Sequence, residues 1–302
     1  MAPVALFAVA LGLVAPEVLA HAPETTPAAP SPWRWNFEPW VVAMAAVALL
    51  LYVAGVARLW QQAGRGRGIS EAQCASFVGG WLAAMAALVS PLDALGAQLF
   101  SAHMLQHELL MLLAAPLLVL GRPLAAWTWA LRPSLRRRVA GVIRWRWLEF
   151  AWDLFTRPVS AWALHAIALW AWHIPPFFEA ALHSEGLHIF QHASFFVTAL
   201  LFWWAVLGSD ARSKTSAFAM VYLFTTMMHT SALGALLTLA PTVWYPQYAA
   251  SGGAFGLDPV EDQELGGLLM WVPGAFAYVA AALAVMARLL APTLRRPQAK
   301  GQ

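Results

Sequence analysis

Seven apolar stretches, each about 16 to 24 residues long, leave this chain few ways to fold, because a helix of that length crosses lipid hydrocarbon and satisfies its own backbone hydrogen bonds there. They run from about Trp40 to Trp60, Cys74 to Leu95, Leu99 to Leu120, Val159 to Ile174, Leu187 to Leu207, Ala217 to Ala240 and Gly267 to Leu290. The fourth is short; it either crosses with little tilt or extends into the amphipathic stretch before it. The reading is an all-α polytopic membrane protein, with a seven-transmembrane-helix bundle over residues 40–290. Composition agrees, since 61% of the residues are hydrophobic, 11% are charged and 17 are Trp, which excludes an ordinary soluble domain. Neither an internal repeat nor a separate soluble domain is legible.

Charge sets the expected orientation. The segments "RLWQQAGRGRG", "RPSLRRRVAGVIRWRW" through Arg157, "SDARSK" and "RLLAPTLRRPQAK" hold nearly all of the Lys and Arg and fall on one side of the spans. The positive-inside rule makes that side cytoplasmic, with the amino terminus outside and residues 291–302 as a cytoplasmic tail. Residues 1–20 read as a signal peptide ending in Val18-Leu19-Ala20, although no basic residue precedes the apolar run, so an uncleaved short segment is the alternative. Residues 21–39 form a Pro-rich tether on the periplasmic side, which cleavage would begin with His21. Between Pro133 and Phe155, Arg alternates with Trp and aliphatic residues, as in a helix lying among lipid headgroups. The net charge of +3 and pI near 9.4 therefore reflect topology, and nucleic acid is not an expected partner.

The histidines carry the chemistry. His103 and His107 lie in the outer turns of the third span, and His188 and His192 take the same position in the fifth. Both pairs are spaced i, i+4, so each projects from one helix face. His173 ends the fourth span on the same side, His165 lies about two turns deeper, and His229 is near mid-membrane. Ionisable groups inside a membrane are costly and usually functional, so imidazoles from four helices converging on an outward cavity are expected to hold a metal. Met111 follows His107 by one turn, and imidazole with thioether favours copper. Without thiolates the hold is weak, which suits transfer. For His165 or His229 alone, a hydrogen bond across a helix interface is the plainer expectation. Facing pairs such as His103 with His188, or His107 with His192, also leave bis-histidine haem ligation open. A mature amino-terminal His21 would add an outer Cu(II) chelate. Glu179, Glu185, Asp258, Glu261, Asp262 and Glu264 in the outer loops would draw cations to the mouth.

Other chemistries fail. Cys74 is the single cysteine, which excludes thiolate-pair redox or metal carriage. "HELLM" starts like a zinc-protease helix but has Met111 where the second ligand belongs, and no glycine-rich phosphate loop is present.

Four stretches together resemble the CtaG family of bacterial cytochrome c oxidase assembly factors: "HMLQHELLMLLAAPLLVLGRP", "WHIPPFFEAALHSEGLHIFQHASFFVTALLFWW", "YPQY" at 245–248 and "DQELGGLLMW" at 262–271. The resemblance implies a non-enzymatic, multi-pass protein of the bacterial plasma (inner) membrane that helps form the oxidase's buried copper site. Its motif positions are His103, His107, His173, His188 and His192, with Asp262, Gln263, Met270 and Trp271 from the last motif. The implied partners are an oxidase subunit, membrane lipid and a periplasmic copper carrier. A copper permease similar to the CopD family is the rival, but it needs a polar route inward, and the inner halves of the spans are nearly free of ionisable groups.

Overall fold

The computed structural model describes residues 33–208, 216–249 and 255–294. The signal-like residues 1–20, most of the Pro-rich tether with His21, the basic pair Arg212 and Lys214, and the tail beyond residue 294 lie outside the described residues. Among the described residues all regular structure is helical, and no strand occurs.

Five helices are long and apolar enough to cross a membrane. They are α1 (Pro39–Ala63), α4 (Phe100–Leu120), α10 (Glu185–Leu207), most of α11 (Ser216–Thr238) and most of α13 (Pro259–Leu294). The other two expected spans are shorter helices: α2 (Glu71–Leu88) has 18 residues and α8 (Pro158–His173) has 16. The second apolar stretch does not run unbroken from Cys74 to Leu95. Ser90 accepts from the Leu92 amide at 3.2 Å and Pro91 takes the first helical turn, so the chain restarts there as α3 (Pro91–Gly96). Nor does α8 fuse with the amphipathic stretch before it, because Pro158 begins a new helix at an extended Arg157. That stretch is itself two helices, α6 (Pro133–Ile143) and α7 (Arg146–Thr156), following α5 (Pro123–Ala130). The remaining short helices, α9 (Pro175–His183) and α12 (Pro246–Ala249), lie in the connections at the opposite end.

Local chemistry explains the principal joints. A capping box starts α2: Ser70 Oγ accepts from the Gln73 amide at 3.2 Å while Gln73 Oε1 accepts from the Ser70 amide at 2.9 Å. Within α4, Leu109–Ala114 form a π-helical turn. Pro116 has no amide hydrogen for the Leu112 carbonyl, and a widened turn accommodates the missing bond. The Trp203 indole donates to the Met111 carbonyl at 2.8 Å inside this turn. Gly234 and Gly267 let α11 and α13 cross in near-backbone contact; a Cβ on Gly267 would come within 2.7 Å of the Gly234 carbonyl oxygen.

The bundle has two chemically distinct ends. At one, Arg122 donates to the Gly68 carbonyl at 3.1 Å and Arg58 to the Ala130 carbonyl, which ties the basic segments together. At the other, Tyr248 donates to the Gly96 carbonyl at 2.8 Å and Tyr245 to the His173 carbonyl at 2.9 Å. Between them runs an apolar core of Met111, Phe195, Phe202, Trp203, Tyr222 and Tyr278, contributed by α4, α10, α11 and α13.

Candidate metal centre

Three helices bring the imidazoles together at one end of the bundle, where two of them start and the third finishes. His103 and His107 stand on α4, His188 and His192 on α10, and His173 closes α8. The i, i+4 spacing brings each pair together, with ring centroids 4.3 Å apart in both, edge-on for His103 with His107 and tilted for His188 with His192. Across the α4–α10 interface, His103 lies 5.5 Å from His188 and 5.6 Å from His192, and His107 lies 5.0 Å from His192. His103, His188 and His192 each offer a ring nitrogen within 4.8 Å of the other two. Nitrogens that share one ion at about 2 Å each stand at most about 4 Å apart, so ligation by all three draws the rings inward wherever a pair stands near that 4.8 Å limit. His173 is within electrostatic reach of both His103 and His107.

The nitrogens are buried and unspent. His103 Nε2, both nitrogens of His107, and Nε2 of His173, His188 and His192 have no hydrogen-bond partner among the described residues. Each such group costs about 1–3 kcal/mol of unreturned desolvation, so the cluster is an expensive arrangement for packing alone. His173 also has a defined tautomer: its Nδ1 lies 2.7 Å from the Leu169 carbonyl, which only accepts, so Nδ1 carries the proton and Nε2 presents its lone pair to the cluster. Aromatic rings enclose the group, with Phe178 edge-on to His103 at 5.2 Å and Phe195 edge-on to His107 at 4.6 Å. Four or five imidazoles without a thiolate, in an apolar wall, can take a borderline or soft transition metal and exchange it.

The other sequence candidates separate. His165 Nδ1 lies 3.1 Å from Thr198 Oγ1, whose own hydrogen goes to the Ser194 carbonyl, so the histidine bridges α8 and α10 as the interface expectation held. His229 sits deeper against Trp162, at 5.6 Å edge-on, with both nitrogens buried and unpartnered among the described residues. Met111 belongs to the apolar core with Phe195 and Trp203. The stripe that linked it to His107 assumed α-helical spacing; the π turn rotates it about the axis relative to that register.

Asp262 and Gln263 are committed to backbone. Asp262 accepts from the amides of Phe100 at 2.6 Å and Ser101 at 3.0 Å and from Ser101 Oγ, and so caps the start of α4, three residues before His103. Gln263 accepts from the Trp244 amide at 2.6 Å and donates to the Leu237 and Thr242 carbonyls. Met270 packs with Phe100 and Tyr245, and Trp271 meets Gly234 at the α11–α13 crossing. Asp258 and Glu261 cap the start of α13 through the Val260 and Asp258 amides, so the outer acids are partly structural. Burial pushes the Tyr248 phenol upward, helped by nearby Asp262 and Glu179, which keeps it a donor to Gly96.

Gln106 and Gln191 escaped the sequence reading. Both are buried, and Gln106 donates to the Ala87 carbonyl at 2.8 Å and to Asp93 at 2.9 Å. The available signal was a repeated dipeptide, since each directly precedes a cluster histidine in "LQHEL" and "FQHAS".

Comparison with known proteins places residues 50–291 under the profile described as cytochrome c oxidase caa3 assembly factor (Caa3_CtaG). The chain is 29% identical over 247 residues to uncharacterized proteins of Mycobacterium bovis and Mycobacterium tuberculosis, covering 78% of this chain and 36% of each relative. An uncharacterized protein of Mycobacterium leprae is 25% identical over 264 residues, covering 84% of this chain and 39% of that one. The chain thus spans well under half the length of these relatives. No solved structure gives a significant match.

Proposed function

The chain belongs to the cytochrome c oxidase caa3 assembly factor family, and from that premise we propose that it gathers copper at the histidine centre and passes it to the oxidase's catalytic subunit during assembly. The observation that carries this reading is the set of buried, unpartnered imidazole nitrogens on α4, α8 and α10, three of which fall within 4.8 Å of one another. Copper here is cargo, held by ligand exchange, and the protein acts as a chaperone and not a catalyst. Seven crossings, counting α2 and α8 as the short ones, with the amino terminus outside, would put the centre just beneath the periplasmic surface of the bacterial inner membrane. There it is open to a periplasmic copper carrier. Glu185, in the first turn of α10, and Glu179, on α9, would help attract the ion.

His103, His188 and His192 form the first ligand set, with His107 and His173 next to them. The haem alternative is less well supported, because a flat macrocycle would need the space that Phe178 and Phe195 fill beside the rings. The permease alternative has His165 and His229 as its deeper polar groups, but His165 is already engaged with Thr198.

Metal analysis tests the proposal. The full chain, purified and loaded with Cu(I) under reductant, should retain copper through gel filtration. The variant combining His103→Ala and His192→Ala should lose at least the roughly 10- to 100-fold in affinity that even an outer-shell change costs a metal site. Equal copper in the two would refute ligation by this cluster.

A further inference from the structure

An open cleft runs down the side of the bundle between α1 and α10, with α2 and the end of α4 as its floor. On the α10 wall its lining extends from Glu185 to Trp204, about 28 Å at 1.5 Å per residue. That is close to the roughly 30 Å depth of bilayer hydrocarbon. Among the described residues its carboxylate, amide and imidazole groups are all at one end: Asn36, Glu38, Asp93 and Glu185, together with His188 and His192 of the metal centre. The shaft below is apolar, and small residues such as Ala45, Ala48 and Ala193 line it.

Resting on the copper-transfer reading, we infer that this cleft is the docking site for a transmembrane helix of the membrane subunit that receives the metal. Three features select that occupant. First, the cleft volume is about 260 Å³, room for a row of side chains and not for a whole helix, so a client helix would lie across the mouth and drop one ridge into it. Second, among the described residues no Lys or Arg lines the cleft, while Glu38 and Glu185 stand at its outer rim with Asp93 already engaged by Asn36 and Gln106. The rim therefore complements a helix whose outer end carries neutral metal ligands or cationic side chains. Third, His188 and His192 form part of the wall, whereas Phe178 and Phe195 enclose His103 and His107. A ligand on the client helix can replace His188 and His192 directly, so the metal leaves sideways, within the bilayer. Alanines along the wall allow the close helix approach that membrane interfaces favour.

Photocrosslinking in the native membrane tests this. A benzophenone amino acid placed at Ala45 or at Leu200, both on the lining, should form an adduct with the oxidase's metal-receiving subunit, identified by peptide sequencing, at one transmembrane helix. The same probe at Leu50, exposed on α1 and outside the lining, should not. Adducts from Ala45 and Leu200 only to lipid, to a second copy of this chain, or to residues 1–32 of the same chain would overturn the inference. A second arm fills the shaft away from the histidines with Ala48→Trp and Leu200→Trp. Copper bound per chain should stay at the unsubstituted level while copper-loaded oxidase falls by about tenfold, equivalent to about 1.4 kcal/mol of lost association. Normal oxidase assembly by the filled variant would overturn the docking site. If the unsubstituted chain binds no copper yet still crosslinks to that subunit from both positions, the metal reading fails while the docking site is supported.

Discussion

Asp262→Asn separates a structural role from a ligand role for the last sequence motif. The carboxylate accepts two backbone amides, Phe100 at 2.6 Å and Ser101 at 3.0 Å, and the Ser101 hydroxyl, and its side chain is fully buried. An asparagine keeps one carbonyl oxygen for the Ser101 amide but turns its NH₂ toward the Phe100 amide, leaving that donor facing a donor. The loss is one charge-assisted hydrogen bond, about 1.5–3 kcal/mol, plus an unsatisfied buried amide of about 1–3 kcal/mol. The charge's favourable interaction with the α4 amino-terminal dipole, about 0.3–1 kcal/mol, goes with it. A net cost of about 3–7 kcal/mol is expected, and at about 2–4 °C per kcal/mol for a chain of this size class the thermal midpoint should drop by roughly 6–28 °C. Thermal unfolding in detergent, followed by near-ultraviolet circular dichroism, reads the shift directly. Because His103 is three residues beyond Phe100, the copper content of the folded fraction should fall less than in His103→Ala. An unchanged midpoint with abolished copper binding would refute the capping account and make Asp262 a ligand.

Other substitutions probe the frame. Gly267→Ala should destabilise the α11–α13 crossing by about 1–3 kcal/mol, because its Cβ would press on the Gly234 carbonyl and the Thr238 amide; the monodisperse fraction after extraction measures it. Trp203→Phe strands the Met111 carbonyl in the π turn and should cost about 1–3 kcal/mol, seen as a lower thermal midpoint with copper retained. His165→Ala breaks the bridge to Thr198 and should lower stability by a similar amount without changing copper per chain, whereas His188→Ala should lower copper with little change in midpoint. A reversed pattern for His165 and His188 would place the metal deeper than the α4–α10 interface.

The sequence made the helices legible wherever apolar runs were long, and it made both histidine pairs legible because i, i+4 spacing survives any rearrangement of the helices that carry them. Cap and turn chemistry was less legible. Ser90-Pro91 looks apolar-flanked enough to pass unnoticed inside a span, yet it divides α2 from α3. The π turn before Pro116 was equally hidden, and with it the placement of Met111, since hydropathy does not distinguish a widened turn from an α turn. Asp262 was read as an outer-loop acid because the last apolar run begins at Gly267; the helix in fact starts at Pro259 and carries the carboxylate inward to α4. That contact joins residues 162 positions apart, and no local pattern announces a partner at that distance.

The same geometry explains why the cluster is asymmetric in a way suited to handing a metal on. His173 is locked by the Leu169 carbonyl, its own carbonyl is held by Tyr245, and His103 is pinned between the capped start of α4 and Phe178. His173 thus presents a fixed lone pair, and the His103 ring is held by its packing. His188 and His192 sit on the opposite helix, next to the cleft, and His188 is the less buried of the two. On the proposed route the fixed imidazoles keep the ion in place while the cleft-side pair is exchanged, so no step leaves copper bare in hydrocarbon. A consequence follows for kinetics. His188→Ala should speed copper release to a soluble chelator more than His173→Ala does, measured by stopped-flow chelator absorbance. Equal acceleration by the two variants would mean that the metal leaves by the periplasmic mouth and not by the side of the bundle.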